Sequence, residues 1–125
     1  MSPRAAGATV HELSRVGLLA TLPGERLTRL AEGMQREQFP AGAAVVAEGD
    51  AGDRFYVVLS GMLAVSQASR GAQSVLRPGD YFGEVALAMG VPRTASVRAL
   101  TPVTVASCDR ATFDEFVRPL FADDG

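Results

Sequence analysis

The chain contains no lysine, and all twelve of its cationic residues are arginine. That bias points to the coding habits of a GC-rich, bacterial genome rather than to any chemistry. Cysteine is nearly absent too. With Cys108 alone, no intrachain disulfide is possible, and the domain suits a reducing, cytoplasmic compartment. His11 is the single histidine, so histidine metal cages and Ser/His relays lack raw material. Positive charge is not in excess. Twelve cationic residues face fourteen acidic ones, for a net charge of -2 at pH 7, which excludes an obvious basic surface and any expected contact with nucleic acid. No apolar run approaches the roughly eighteen residues of a membrane span, and residues 1–10 lack the apolar core of a signal peptide.

What remains is an ordinary folded composition. Hydrophobic residues make up 47% and charged residues 21% of 125 positions, enough for one domain and too apolar for a disordered chain. Residues 1–8 are small and polar and are expected to be disordered. Thr9 and Glu12 have the spacing of a capping box, and Leu27, Leu30, Ala31 and Met34 make a helical stripe opposite Glu25, Arg26, Arg29 and Glu32. Pro40 and Gly42 close this part. Short apolar runs then alternate with turn signals. The runs lie at 43–47, 54–59, 62–68 and 72–77, and the turns at Gly49-Asp50-Ala51-Gly52-Asp53, Ser60-Gly61, Arg70-Gly71 and Pro78-Gly79-Asp80. This is the rhythm of an antiparallel sandwich or barrel. Val57, Val58 and Leu59 are apolar on both faces and predict a strand buried on two sides. Further strands are expected at 93–100 and 102–107. A closing helix at 110–121 has Asp109 as its N-cap and Phe113, Phe116, Val117 and Leu120 as its stripe. The expected organisation is a helical lead-in at 9–34, a barrel at 35–108 and the closing helix, one domain over 9–125.

The break in the β rhythm at 81–92 is the informative part. Phe82-Gly83-Glu84 opens a short helix that Gly90-Val91-Pro92 stops. A barrel has no need of a helix between strands, and the start of one presents free backbone N–H groups, an arrangement suited to anions. Glycine at 83 lets a ligand approach the backbone. Glu84 sits in the first turn, where the helix dipole favours a carboxylate, and it can accept from a pair of hydroxyls. Arg93 follows nine residues later, with small neighbours Thr94 and Ala95. A guanidinium there can grip a phosphate or carboxylate in bidentate fashion. Each signal alone is ordinary: a helix start, an arginine on a strand edge, strand alternation. Together they ask for a ligand with an anion and a nearby hydroxyl, as in a nucleotide monophosphate ring.

The joint spacing carries more weight. Phe82-Gly83-Glu84-Val85-Ala86-Leu87, five residues, then Arg93-Thr94-Ala95-Ser96-Val97-Arg98-Ala99 closely resembles the phosphate-binding cassette of the cyclic-nucleotide-binding domain family. That family includes the bacterial catabolite activator, regulatory subunits of protein kinase A and nucleotide-gated channels. Residues 45–61, from Val45 to Gly61 through Gly49-Asp50-Ala51-Gly52-Asp53, are similar to the family's glycine-punctuated early strands, and the resemblance covers about 16–120. It implies a mainly β fold with flanking helices, an antiparallel jelly-roll β-barrel with a short phosphate-binding helix inserted between strands. It implies that Glu84 accepts the ribose 2′-hydroxyl, that Gly83 offers backbone to the sugar, and that Arg93 holds the exocyclic phosphate oxygens. The N–H groups of Ala95, Ala86 and Leu87 would complete the cradle, with Val85 in the same short helix. Phe82, Val65 and Leu76 would line the pocket, and Ser74 would lie near the purine. Thr94 permits cGMP without demanding it, and family prevalence favours cAMP. The small molecule is a ligand, and no cofactor is implied.

The resemblance also implies a function. A regulatory or sensor domain would pass ligand binding to a fused or separate effector by a population shift. Family members follow the closing helix with a lid helix over the base. Here only Phe121 to Gly125 follow Leu120, so lid and output are expected on a longer parent chain, on a partner, or nowhere. That departure motivates the alternative of an interaction module that ignores nucleotide. An enzyme is not expected. Cupin-like barrels need several interior histidines, Glu84 and Arg93 give no acid–base pair, and the Asp50–Asp53 loop is too short for calcium. Cys108 lacks an activating base.

Overall fold

The computed structural model of the protein describes residues 9–121, so the expected disorder at 1–8 lies outside the described residues. The lead-in opens with helix α1 (Val10–Ser14). Thr9 caps it by a reciprocal capping box with Glu12. A 3-10 turn (Leu19–Thr21) leads to α2 (Gly24–Glu32), which buries Leu27, Leu30 and Ala31. Eight strands follow: β1 (Gln35–Phe39), β2 (Ala44–Val46), β3 (Arg54–Ser60), β4 (Leu63–Gln67), β5 (Gly71–Leu76), β6 (Tyr81–Phe82), β7 (Ser96–Ala99) and β8 (Val103–Asp109). They form two antiparallel four-stranded sheets, β1-β8-β3-β6 and β2-β7-β4-β5, the jelly roll expected from the sequence. Helix α3 (Glu84–Met89) is inserted between β6 and β7. No helix among the described residues is long and apolar enough to cross a membrane.

Strand alternation sorts β3 between two cores. Phe55 and Val57 point to the helical layer, where they meet Leu13, Leu30, Phe113 and Val117. Tyr56 and Val58 point between the sheets, onto Phe82, Leu63, Val97 and Val105. β3 is therefore buried on both faces, as its unbroken apolar run predicts.

One segment inside the expected barrel lacks a local strand signal, and another departs from the sequence reading. β1 is written Gln-Arg-Glu-Gln-Phe and carries little β propensity, yet it pairs along its whole length with β8. Tertiary pairing overrides propensity there. The strand expected at 93–100 begins only at Ser96. The Arg93 backbone is occupied elsewhere: its N–H donates to the Asp50 carbonyl and its carbonyl accepts from Gly49, both at 2.8 Å. Residues 93–95 are thereby tied to the turn before β3 and cannot join a ladder.

The closing helix runs from Arg110–Thr112 through a π-helical turn at Phe113–Val117 into Arg118–Phe121. Asp109 caps it, accepting from the Thr112 N–H at 2.9 Å. It grips α3 through two arginines. Arg110 donates to the Leu87 carbonyl at 3.1 Å, and Arg118 donates to the carbonyls of Leu87 and Ala88 at 3.0 and 3.1 Å. Orphan carbonyls at the end of α3 thus receive cationic donors, the charge sign that a helix C-terminus favours.

Candidate functional site

A cavity of about 220 Å³ opens where α3 meets the sandwich. Phe82, Gly83, Glu84, Val85, Ala86, Arg93, Thr94, Ala95, Val65 and Leu76 all line it. The structure thus brings together ten of the twelve residues that the sequence singled out. The other two lie elsewhere. Ser74 sits on β5, a strand at the edge of its sheet whose residues 71–75 are all exposed, outside the lining. Leu87 is buried in the helical-layer core. Its amide falls at the fourth position after the Gly83 cap, where the i to i-4 rule returns it to the Gly83 carbonyl. The amides left over at the head of α3 are those of Glu84, Val85 and Ala86.

Arg93 dominates the cavity's electrostatics. Its side chain is buried, with the residue only 7% exposed, and no carboxylate among the described residues lies within salt-bridge distance of it. Its Nη2 donates to the Arg54 carbonyl at 3.0 Å and its Nη1 to the Gly83 carbonyl at 3.4 Å. Two neutral acceptors do not neutralise a buried charge, and an isolated buried ion costs several kcal/mol. Anion binding relieves that cost.

Glycine makes this packing possible at two positions. At Gly83, φ is +96°, and an added Cβ would lie 2.7 Å from the Arg54 carbonyl and 2.8 Å from Arg93 Nη1. At Gly52 a Cβ would lie 2.5 Å from that of Ala86 and 2.9 Å from Arg93 Nε. The turn before β3, α3 and the guanidinium pack through the space that a missing methyl leaves.

Glu84 is half-buried at the first turn of α3. Burial raises its pKa above the usual carboxylate value, opposed by its own backbone amide and by the Arg93 charge. It feels Arg93 without forming an ion pair, which leaves its oxygens available to a hydroxyl donor. Thr94 is exposed at the rim. Tyr81 also lines the cavity, and burial first, then the Glu84 and Asp80 charges, push its hydroxyl pKa up. Phe121 is outside the lining and packs on the Tyr81 and Phe113 rings.

Sequence reasoning missed Val46, Tyr81 and Val97 in the lining and Gly52, Arg54 and Tyr56 behind it. Val46 and Val97 face each other in the β2–β7 pairing. Only the sheet topology puts them at this cavity. Gly52 carried no local signal, because what it makes room for, Ala86 and Arg93, lies more than thirty residues away in sequence.

An antiparallel jelly roll whose wall is opened by a short helix, with a buried arginine that has no ion-pair partner among the described residues and a half-buried glutamate both in the cavity lining, defines a class of site suited to a small hydroxylated anion. Comparison with known proteins gives this class its family. The cyclic nucleotide-binding domain family matches residues 36–119, and the chain belongs to that family. Among curated relatives, the chain is 37% identical over 107 residues to a cAMP-dependent protein kinase regulatory subunit of Debaryomyces hansenii, covering 86% of this chain and 24% of that protein. The corresponding subunit of Yarrowia lipolytica is 38% identical over 109 residues, covering 86% and 29%. The chain therefore spans about a quarter of the length of these relatives. The cAMP co-crystal structure of the regulatory domain of Toxoplasma gondii PKA superposes with a TM-score of 0.86 at 28% identity, covering 89% of this chain and 44% of that one. The relatives are fungal and protozoan, and the bacterial origin expected from the arginine bias finds no support among them.

Proposed function

We propose that this chain is a cAMP-binding sensor that regulates an effector. The observation that carries the reading is Arg93, buried at 7% exposure with no carboxylate partner among the described residues and lining the cavity that α3 opens. An anion seated between that guanidinium and the leftover α3 amides gains charge-assisted hydrogen bonds in a desolvated site. Glu84, also in the lining, supplies the acceptor for a ribose hydroxyl. A cyclic nucleotide presents both groups in one rigid ring. Val46, Val65, Leu76 and Val97 give the base and sugar an apolar wall. Thr94 at the rim leaves cGMP as a weaker second ligand. The charged groups lining the cavity are Glu84 and Arg93 alone, and neither has a second group placed as acid or base, so we assign the domain a binding role rather than a catalytic one. The similarity to protein kinase regulatory subunits makes a protein kinase the effector class to test and the cytoplasm the proposed compartment.

Calorimetric titration with cAMP and cGMP tests the reading. One site of micromolar affinity, about -8 kcal/mol, is expected, and Arg93→Gln should weaken it by about 2–3 kcal/mol through loss of the charge-assisted contacts. Absence of both heat and thermal shift at millimolar cAMP would leave an interaction module that ignores nucleotide.

A further inference from the structure

The guanidinium of Arg93 rests on more than its two carbonyl acceptors. Beneath it lies an aromatic pair. The Arg93 guanidinium carbon stands 5.7 Å from the centroid of the Tyr56 ring, and the Phe82 ring stacks with that ring at 4.7 Å and an interplanar angle of 6°. Tyr56 comes from β3 and Phe82 from β6, paired directly in register. Both rings are buried, at 7% exposure each. A cation over an aromatic face within about 6 Å is attracted by the ring quadrupole, more strongly where water is excluded.

We infer that Tyr56 is a positioning residue for the anion site: its ring, stacked with Phe82, holds the Arg93 guanidinium aimed into the cavity before any anion arrives. The inference rests on the functional reading above for what the anion is, but the stack itself exists without ligand. Its role follows from what is missing around Arg93. One carbonyl bond is long, at 3.4 Å, and no carboxylate among the described residues lies within salt-bridge distance. Without the ring the guanidinium keeps a single short tether, to the Arg54 carbonyl, and can rotate toward Tyr56's vacated space. Preorganisation of the cation is then lost, and ordering it on binding weakens the complex.

Three measurements on the full chain test this. In the unliganded protein the Arg93 Nε–Hε nuclear magnetic resonance, assigned with Arg93→Gln, should be displaced upfield by the ring beneath it. Tyr56→Phe keeps the ring and should bind cAMP within about twofold of the parent. Tyr56→Leu should weaken cAMP binding by about tenfold and return the Arg93 resonance to the position of exposed arginines. The inference is overturned if the parent resonance is not displaced, if Tyr56→Phe loses as much affinity as Tyr56→Leu, or if Tyr56→Leu binds as the parent does. Should Tyr56→Leu fail to fold, the resonance in the parent and in Tyr56→Phe still decides. Should the parent take up no cAMP, the functional reading falls, while the displaced or undisplaced resonance still judges the stack.

Discussion

Gly52→Ala is a one-methyl change with a consequence that the geometry fixes. The new Cβ would stand 2.5 Å from the Ala86 Cβ, 2.9 Å from Arg93 Nε and 3.0 Å from Arg93 Cδ. Carbon atoms in contact prefer about 3.5–4.0 Å, so the turn before β3 and α3 must separate by about 1 Å. Neither side gives easily. The turn is tied to Arg93 by two backbone bonds of 2.8 Å, from Gly49 and to Asp50. Ala86 is buried at 3% exposure, and α3 is held behind by Arg110 and Arg118. Overpacking of this kind costs about 1–3 kcal/mol of stability, or a melting temperature lower by roughly 4 °C per kcal/mol for a domain of this size. The Arg93 side chain is pushed as well, and losing one good charge-assisted contact to the anion is worth about 1.5–3 kcal/mol. The cAMP affinity should therefore fall at least about tenfold. Gly24→Ala is the control. Nothing lies within 4 Å of its Cβ and it begins a helix, so it should be neutral or slightly stabilising. Urea denaturation and calorimetry on both variants make the comparison. A Gly52→Ala protein with the stability and affinity of the parent would refute the packing argument.

Glu84→Gln should separate stability from binding. Burial raises the Glu84 pKa above 4.5, so this group's contribution to stability is fully present below its unfolded value and is lost as pH rises through the folded value. The neutral variant should be as stable as the parent or more so near neutral pH, while binding cAMP more weakly because the carboxylate acceptor is gone. In the parent, affinity should fall on acidification through the raised Glu84 pKa, and a parallel pH profile in the Gln variant would contradict that role. Cys108 is fully buried, and burial pushes its thiol up to about 12 from 9.0. It should resist thiol reagents at pH 8 in the folded protein and react on unfolding, and rapid native labelling would contradict its burial. The same raised pKa stabilises the fold below pH 9, and that contribution is lost as pH rises toward 12.

The parts of the fold legible in the sequence are those with local signals. Thr9 and Glu12 announced a capping box, Val57 and Val58 a doubly buried strand, and Asp109 a helix start, because caps and periodicity act within a few residues. β1 was not legible as a strand from Gln35 to Phe39, since only β8 makes it one. Ser107 is a similar case. It is wholly buried, with Arg54 donating to its hydroxyl while that hydroxyl donates to Glu37, partners 53 and 70 positions away. The site split the same way. Gly83, Glu84 and Arg93 stood out because their spacing is local, whereas the place of Ser74, paired with the lining residue Val65 yet exposed on an edge strand and outside the lining, is set by sheet order and not by its neighbours in sequence. Tyr56 escaped notice because an aromatic on a buried strand is ordinary until an arginine from another loop is seen above it.

One contact is central to the proposed function, an anion held by Arg93 against the head of α3. A crystal structure of the chain with cAMP examines it directly. The cyclic phosphate should lie within hydrogen-bond distance of the Arg93 guanidinium and of an amide of Glu84, Val85 or Ala86, with Glu84 accepting from the ribose. Density for the nucleotide away from Arg93, with the guanidinium still on the Arg54 and Gly83 carbonyls alone, would contradict it.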